Sequence, residues 1–245
     1  MAVRHLHRLV HRYARQITLG AALVTFGGLP PSTFGSGTIE AFGYRWQVPN
    51  FPDWKVERVD GEEVLKLLVA RPSTQPRRPI QFALAETPPF VRVTVEAEVK
   101  KEPFEARRRR TSLIIVYAYQ DEAHFNYAHL SVDRGTEVEV HNGIFHVFGG
   151  DRVRISPLEG PPALTHEGWH RVRLEFDGRA GTVQVYVEGK PLASLRGCDL
   201  SLRQGRVGLG SFFDMGEFRR VRIRGEPAPG TALLRLGPAV GCGAH

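Results

Sequence analysis

The sequence is poor in the residues that build disulfide frameworks, zinc sites and phosphate-binding loops. Of its 245 residues only two are cysteines, Cys198 and Cys242, and no Cys/His spacing of the zinc type occurs. Glycine-rich phosphate loops and the Gly-x-Ser-x-Gly turn of serine hydrolases are also missing. An exported domain could join the two cysteines, but Cys242 lies in a Gly/Pro/Ala-rich tail. We therefore expect neither cysteine to be structural.

The sequence also has no apolar run long enough to cross a bilayer. The longest candidate, residues 17–29, has an apolar core of about 10–13 residues, which is shorter than a transmembrane helix needs. It follows a basic stretch without acidic residues and ends at Pro30-Pro31, as in a signal peptide. We predict a signal segment at residues 1–37, cleavage after Gly35 or Gly37, and an extracytoplasmic protein without a stable membrane span. The alternatives are a short N-terminal helix, or a start codon assigned too far upstream, which would add residues that are not translated.

Much of the positive charge lies in the N-terminal segment, so the net charge is a poor indicator of a nucleic-acid partner. The formal net charge is +7, but more than half of it comes from four arginines of the N-terminal segment, Arg4, Arg8, Arg12 and Arg15. A second basic run, at residues 107–110, has no interleaved aromatic residues of the kind that single-strand binders use. We interpret it as a solvated loop, and we predict no nucleic-acid partner.

Alternation of apolar and polar residues dominates the rest of the chain, and helical periodicity is rare. Residues 91–99 alternate as a strand with one buried and one solvated face does. Further alternating runs flank three turn segments, at Gly149-Gly150, at residues 177–181 and at residues 213–216, and each predicts a hairpin. The fold class we predict is all-β, a two-sheet antiparallel β-sandwich of the jelly-roll type. It spans residues 38–225 and precedes a flexible tail at residues 226–245.

Four segments give the chain a resemblance to a known superfamily. They are residues 53–57 (DWKVE), 168–174 (GWHRVRL), 183–191 (VQVYVEGKP) and 205–212 (GRVGLGSF). In this order they resemble bacterial members of the concanavalin A-like lectin/glucanase superfamily, and most closely its laminin-G-like and 3-keto-disaccharide hydrolase-type jelly rolls. The resemblance covers roughly residues 42–225. It implies two stacked sheets, one of them concave, with ligands on the concave side or its rim loops, but it marks chemistry poorly.

Residues 113–132 predict a hairpin whose two faces differ. Alternation assigns one set to the core, namely Ile114, Val116, Ala118, Ala128, Leu130 and Val132. The opposite set is Tyr117, Tyr119, Phe125, Tyr127, His129 and Ser131, and pairing Tyr119 with Phe125 places Tyr117 opposite Tyr127. Flat rings with hydroxyl groups suit the faces and edges of a sugar, so the predicted ligand-binding residues are Tyr117, Tyr119, Tyr127 and His129. The alternative is that these rings are ordinary sandwich core.

A histidine-rich stretch adds weaker candidates. His141-Asn142-Gly143 is followed by His146, and Asn142 joins the predicted ligand-binding set. If the protein is an enzyme, His129 and His141 are the candidate proton carriers. The alternative is a turn at Asn142-Gly143 with His141 as its polar neighbour. No histidine pair with a clear carboxylate partner appears, so we predict no metal site.

Carboxylates give little support to a glucanase mechanism. Related laminarinase-type glucanases use a strand motif Glu-x-Asp-x-x-Glu, and the nearest match, residues 96–101 (EAEVKK), has Lys101 in place of the last acid. Two carboxylate pairs share a strand face, Glu96 with Glu98 and, if their segment is extended, Glu137 with Glu139. A solvated strand face explains such pairs better than catalysis does. The superfamily often holds structural Ca²⁺ at loop carboxylates such as Asp214. One aspartate falls short of the about six to eight oxygens needed, so no cofactor is predicted, and structural Ca²⁺ at Asp214 is kept as the alternative.

Three functions remain open from the sequence. The leading hypothesis is an exported carbohydrate-recognition domain that binds a glycan on an aromatic concave sheet. The second is a glycoside hydrolase resembling the 3-keto-disaccharide hydrolases. The third is a structural or interaction domain with no small ligand. The sequence names neither the glycan nor the oligomeric state.

Overall fold

A computed structural model describes residues 36–72, 74–101, 112–133, 138–158, 162–166 and 168–229. Its strands are β1 (Gly37–Ala41), β2 (Tyr44–Val48), β3 (Trp54–Val59), β4 (Glu62–Leu67), β5 (Gln81–Ala85), β6 (Phe90–Lys101), β7 (Leu113–Asp121), β8 (His124–Leu130), β9 (Gly143–Phe148), β10 (Val153–Arg154), β11 (His170–Asp177), β12 (Thr182–Val187), β13 (Leu195–Cys198), β14 (Arg206–Ser211) and β15 (Gly216–Pro227). One short helix, α1, spans Val138–His141. Among these residues no helix is long and apolar enough to cross a membrane.

The described strands form two antiparallel sheets. The eight-stranded sheet has the order β1-β2-β5-β14-β7-β8-β9-β10, and the seven-stranded sheet has the order β13-β12-β11-β6-β15-β4-β3. Side chains from both sheets form one apolar core, which includes Trp46 of β2, Val95 of β6 and Leu174 of β11. Burying each such side chain stabilises the fold by about 1.5–3 kcal/mol. The predicted all-β, two-sheet sandwich is confirmed.

Alternation predicted most strands correctly but one hairpin wrongly. Strand β6 has its valines in the core as expected, including Val93 and Val95. The prediction that its other face is solvated is wrong at Glu98, which is buried because Arg219 and Arg220 bind it. The β9–β10 and β11–β12 hairpins pair as antiparallel neighbours. Strands β14 and β15 do not form the predicted hairpin, because β14 belongs to the eight-stranded sheet and β15 to the seven-stranded one. The connection at residues 212–215 carries the chain between sheets, and alternation alone does not reveal a strand's partner.

Strand β7 does not have the predicted phase. Ile114 lies opposite His129, Val116 opposite Tyr127 and Tyr117 opposite Asn126, one residue away from the predicted register. The ladder is irregular between Tyr117 and Asp121, and Ala118 has a positive φ of 51°, so a bulge separates the two halves of the strand. Ile114 and Val116 therefore point away from the inter-sheet core, and Tyr117 points into it.

Several sequence predictions fall partly or wholly outside the described residues. These are residues 1–35 of the signal segment, the basic run at residues 107–110, Glu137, and residues 230–245 of the predicted tail. The predicted start of that tail at residue 226 is wrong, because β15 continues to Pro227. Glu139 belongs to helix α1, so this part of its segment is not extended. Cys198, at the end of β13, is disulfide-bonded, which contradicts the expectation that it has no structural role. The only other cysteine in the chain, Cys242, lies outside the described residues.

Candidate functional site

The outward face of the eight-stranded sheet carries a second apolar cluster, which we call the aromatic layer. Its members come from strands β5, β7, β8 and β9 and from the segment after β14: Phe82, Leu84, Ile114, Val116, Phe125, Tyr127, Phe145, Val147, Phe212 and Phe213, with Tyr119 at its margin. Rings pack on one another throughout, as where Tyr127 stacks on Phe145 with centroids 5.4 Å apart. Tyr127 and Phe125 are fully buried. The layer is therefore a packed core rather than an open platform of rings.

Arg152, from the loop between β9 and β10, covers the centre of the aromatic layer. Its guanidinium carbon lies 4.3 Å from the ring centroid of Phe145 and 4.5 Å from that of Phe212. The Nη1 atom donates to the Tyr127 hydroxyl at 3.1 Å and to His129 Nδ1 at 3.0 Å, and Nη2 donates to the Val140 carbonyl at 2.7 Å. Two aromatic faces and three acceptors thus hold a half-buried cation in one orientation.

The loop at residues 74–80 joins Arg152 over the aromatic layer. The Arg152 amide donates to the Arg77 carbonyl at 3.0 Å, and the Arg77 amide donates to the Asp151 carboxylate at 2.6 Å. The exposed Arg77 side chain approaches Phe212, with its guanidinium carbon 5.9 Å from the ring centroid. We call the group Arg77, Arg152 and His141 the arginine cap, because it forms the solvent boundary of the layer.

His129 has a tautomer that its neighbours determine. A guanidinium group only donates, so Nδ1 of His129 accepts from Arg152 and the ring proton lies on Nε2. Nε2 then donates to the Ser112 hydroxyl, 2.8 Å away. Burial lowers the pKa of His129 well below its usual value, and the Arg152 charge lowers it further. His129 is therefore neutral and cannot serve as a base for Ser112, because its Nε2 already carries the proton.

His141, at the end of α1, is paired with a buried carboxylate. Its Nδ1 is hydrogen-bonded to Asp133, whose side chain is completely buried, whereas the His141 side chain is 16% exposed. The ring centroid of His141 lies 5.5 Å from that of His129 and 5.5 Å from that of Phe213. Asp133 fixes the orientation of the ring, so that Nε2 is the nitrogen left for other partners.

The predicted site residues do not form one face. Tyr127 and His129 share the aromatic layer as expected, and Tyr119 reaches its margin after the bulge. Tyr117 was assigned to the wrong face: it lies in the inter-sheet core against Phe176, with ring centroids 5.0 Å apart. Burial raises the pKa of Tyr117 well above its usual value, and the Asp199 charge adds to the rise.

Asn142 and Asp214 are both buried, so neither side chain lies at the surface where a ligand would contact it. The Asn142 amide oxygen accepts from the backbone amides of Ser131 at 3.1 Å and Ala163 at 2.8 Å, and its nitrogen donates to the Ser131 hydroxyl at 3.0 Å. These bonds tie three segments together. The Asp214 amide donates to the Ser211 hydroxyl at 2.8 Å.

Asp214 does not stand in a donor set that fits a metal ion. Among the described residues, no three His, Cys, Asp or Glu side chains come together in a way that could hold one. A calcium site needs about six to eight oxygen ligands, and within the described residues Asp214 is not joined by two further His, Cys, Asp or Glu side chains that could supply part of them.

A buried polar cluster lies on the inner side of the same sheet, where sequence reasoning did not expect one. Asn126 donates to Asp199 at 2.9 Å, and His146 Nδ1 lies 2.7 Å from Asn126 Oδ1 and 3.1 Å from Asp199. Burial alone would raise the pKa of Asp199, but hydrogen bonds from His146, Ser201 and Asn126 outweigh it and lower the pKa to about 2. Asp199 follows β13 of the seven-stranded sheet, and Asn126 and His146 belong to the eight-stranded sheet, so the cluster links the two sheets, and all three residues are buried.

Comparisons with known proteins show only a distant structural likeness. No family model and no curated protein matches the chain. Similar solved structures include the carbohydrate-binding module CBM66 from Bacillus subtilis, at 13% identity and TM-score 0.49, covering 70% of this chain and 94% of that one. The GH43 protein BlXynB from Bacillus licheniformis has 10% identity, TM-score 0.48 and coverages of 76% and 37%. Peanut lectin has 8% identity, TM-score 0.39 and coverages of 76% and 87%. Likeness at these identities concerns the fold alone.

Proposed function

We propose that this protein is an exported carbohydrate-recognition domain that binds a glycan at the arginine cap. The observation that carries the proposal is that the Arg152 guanidinium group is held in place but keeps two hydrogen-bond donors for a ligand. It has five N–H donors, and three of them bond Tyr127, His129 and the Val140 carbonyl. Within the described residues the other two have no protein acceptor. They belong to a rigid, half-buried group on an aromatic support.

Such a group matches the chemistry of a sugar. A saccharide offers ring oxygens and hydroxyls that accept hydrogen bonds, together with apolar C–H faces that rest on aromatic or aliphatic surface. Next to Arg152 lie the exposed Val140 side chain and the partly exposed His141 ring. The proposal thus moves the predicted contact surface from the buried rings of Tyr127 and His129 to the residues that cover them.

The test is a glycan array probed with the wild-type domain and with Arg152→Lys. Lysine keeps the charge but loses the planar fork, so we expect retention of the bound glycan to fall about tenfold or more, equivalent to about 1.4 kcal/mol. Arg58→Ala, an exposed arginine on β3, is the control that should bind normally. Unchanged binding by a folded Arg152→Lys domain would remove the arginine cap as the site.

A second candidate function, a glycoside hydrolase resembling the 3-keto-disaccharide hydrolases, is favoured by the Asp133–His141 pair. A buried carboxylate that fixes Nδ1 leaves Nε2 of His141 at the surface beside Arg152, which is where a general base would meet a bound sugar. The test is a hydrolysis screen with wild type, His141→Gln and Asp133→Asn. Turnover lost in both variants while binding persists would identify a hydrolase. Absence of turnover in the wild type leaves the recognition domain.

Export is part of the proposal and rests on two observations. The basic-then-apolar order of the N-terminal residues has the form of a signal peptide. The disulfide at Cys198 is of a kind that persists in oxidising compartments. The intact mass of protein recovered from the extracytoplasmic fraction should be lower than that of the full chain by the first 35 or 37 residues. Recovery of full-length protein from the cytoplasm alone would contradict export.

A further inference from the structure

The outward side of the seven-stranded sheet, which we call the charged face, contains a groove with no part in the proposed function. A cavity of about 300 Å³ is lined by Glu96 and Glu98 of β6, Arg171 and Arg173 of β11, and Arg222 of β15. A second cavity of about 430 Å³ lies one step further along the same strands and includes Arg224. Both cavities are lined by residues of β6, β11 and β15, so they follow one another along these strands, and we call the two together the trough.

Strand register explains how these side chains come together. Glu96 of β6 lies between Arg173 of β11 on one side and Arg222 of β15 on the other. Alternate residues of β15, Val221 and Ile223, pack into the inter-sheet core, so Arg222 and Arg224 both point outward. Successive outward residues of a strand lie about 6.6–6.8 Å apart. The trough therefore presents two guanidinium groups in a row along one wall.

Among the arginines that line the two cavities, Arg222 and Arg224 differ from the others in having no ion-pair partner within the described residues. Arg220 binds both Glu98 and Glu62, at 2.9 and 2.8 Å. Arg92 binds Asp177 at 2.9 Å, and Arg173 binds Glu175 at 3.1 Å. No ion pair of Arg222 or Arg224 occurs in the described ranges, and both residues are exposed. Their guanidinium groups are available to an anion from outside the chain.

The floor of the trough favours one kind of anion over another. Glu96, Glu175 and Asp177 would repel a nucleic-acid strand, which carries a phosphate charge about every 3.4 Å. Carboxylates accept hydrogen bonds from hydroxyl groups, so the same residues suit a sugar chain with more widely spaced charges. Arg173 lies over the ring of Tyr186 at 4.5 Å, so at least one face of this ring is already covered and not open to a stacking base.

We propose that the trough on the charged face binds an acidic polysaccharide whose sugar units carry carboxylates. Its carboxylates bond Arg222 and Arg224, and its hydroxyl groups donate to Glu96 and Glu175. This site lies on a different sheet from the arginine cap, and it does not depend on the cap binding any ligand.

The experiment measures binding of the purified domain to polygalacturonate, to uncharged dextran and to a single-stranded dT oligonucleotide at low salt. We expect measurable binding to polygalacturonate, and a loss of about tenfold or more in Arg222→Ala/Arg224→Ala. The matched control is Arg45→Ala/Arg58→Ala, which removes the same charge from exposed positions elsewhere. Arg152→Lys should bind polygalacturonate normally, which separates this site from the arginine cap.

Three results would overturn the proposal. One is no binding of polygalacturonate by the folded wild type at low salt. Another is an equal loss in the control double variant, because net charge and not the trough would then explain binding. The third is binding of the dT oligonucleotide as tight as that of polygalacturonate, because a nucleic-acid surface would then be the better description.

Discussion

The two sheets of this sandwich direct very different surfaces away from each other. The outward side of the eight-stranded sheet is an aromatic layer closed by Arg152, whereas the outward side of the seven-stranded sheet is covered with paired charges. Both surfaces arise from the same alternation of side chains along a strand. The difference teaches that a sandwich can hold two apolar layers, and that only one of them lies between its sheets.

The largest difference in stability between the two surfaces should come from replacing a buried aromatic residue of the aromatic layer with alanine. Phe212 is 1% exposed, so Phe212→Ala should lower the free energy of unfolding by about 3–5 kcal/mol through lost burial and the cavity left behind. Tyr186→Ala on the charged face is the matched change and should cost about 1 kcal/mol or less. Denaturant unfolding measures both. Similar costs for the two would mean that the layer is not a core.

The next largest effect is the contribution of His129 to the pH dependence of the free energy of unfolding. Its folded-state pKa is well below the ordinary 6.5, so the folded protein keeps a neutral ring while the unfolded chain takes up a proton. The stability that this group contributes is complete above about pH 6.5 and is lost progressively as the pH falls below that value, by at most about 1.4 kcal/mol per pH unit.

The difference in slope between wild type and His129→Gln isolates the His129 contribution. Unfolding free energies measured between pH 7 and 5 should fall more steeply for the wild type. Parallel curves for the two proteins would show that His129 titrates normally, and the tautomer argument would then be wrong.

A smaller effect should come from single hydroxyl groups. Tyr127→Phe removes the acceptor for Arg152 within the aromatic layer and should cost about 1 kcal/mol. Tyr186→Phe removes a hydroxyl that donates to Gln184 in an exposed setting, and it should be close to neutral. Thermal or denaturant unfolding distinguishes them. Equal costs would show that Arg152 gains little from Tyr127.

The smallest effect is expected on the charged face itself. Arg222→Ala removes an exposed guanidinium without an ion-pair partner in the described structure, so the free energy of unfolding should change by no more than about 0.5 kcal/mol. The same variant is a component of the polygalacturonate test. A large loss of stability would show that Arg222 supports the sheet rather than serving a ligand.

Sequence reasoning predicted the fold well where a strand has one polar side. Strand β6 alternates valine with charged residues, so only one phase buries its apolar set. Strand β7 is apolar on both sides, since Ile114 and Val116 enter the aromatic layer while Ile115 and Tyr117 enter the inter-sheet core. No polar residue marks the phase of its first half, and the bulge at Ala118 shifts the second half. Sequence alternation cannot report either feature.

The candidate site was only partly predictable for a related reason. Tyr127 and His129 were correctly assigned to one side of β8, because Ala128 and Leu130 have their small or aliphatic side chains on the other. Arg152, which covers them, is separated from His129 by 23 residues and lies in a loop with no motif. The pairing of Asp133 with His141 depends on helix α1, and nothing in the sequence pattern before Asn142-Gly143 predicted a helix there.

The proton on Nε2 of His129 has a consequence for chemical labelling. Ser112 and His129 are in contact at 2.8 Å, which is the separation expected of an activated serine and its base. Here the serine oxygen receives the hydrogen, so it gains no nucleophilic character. Electrophilic reagents that mark serine hydrolases by covalent modification should leave this protein unlabelled, and a search for serine–histidine neighbours by distance alone would select it in error.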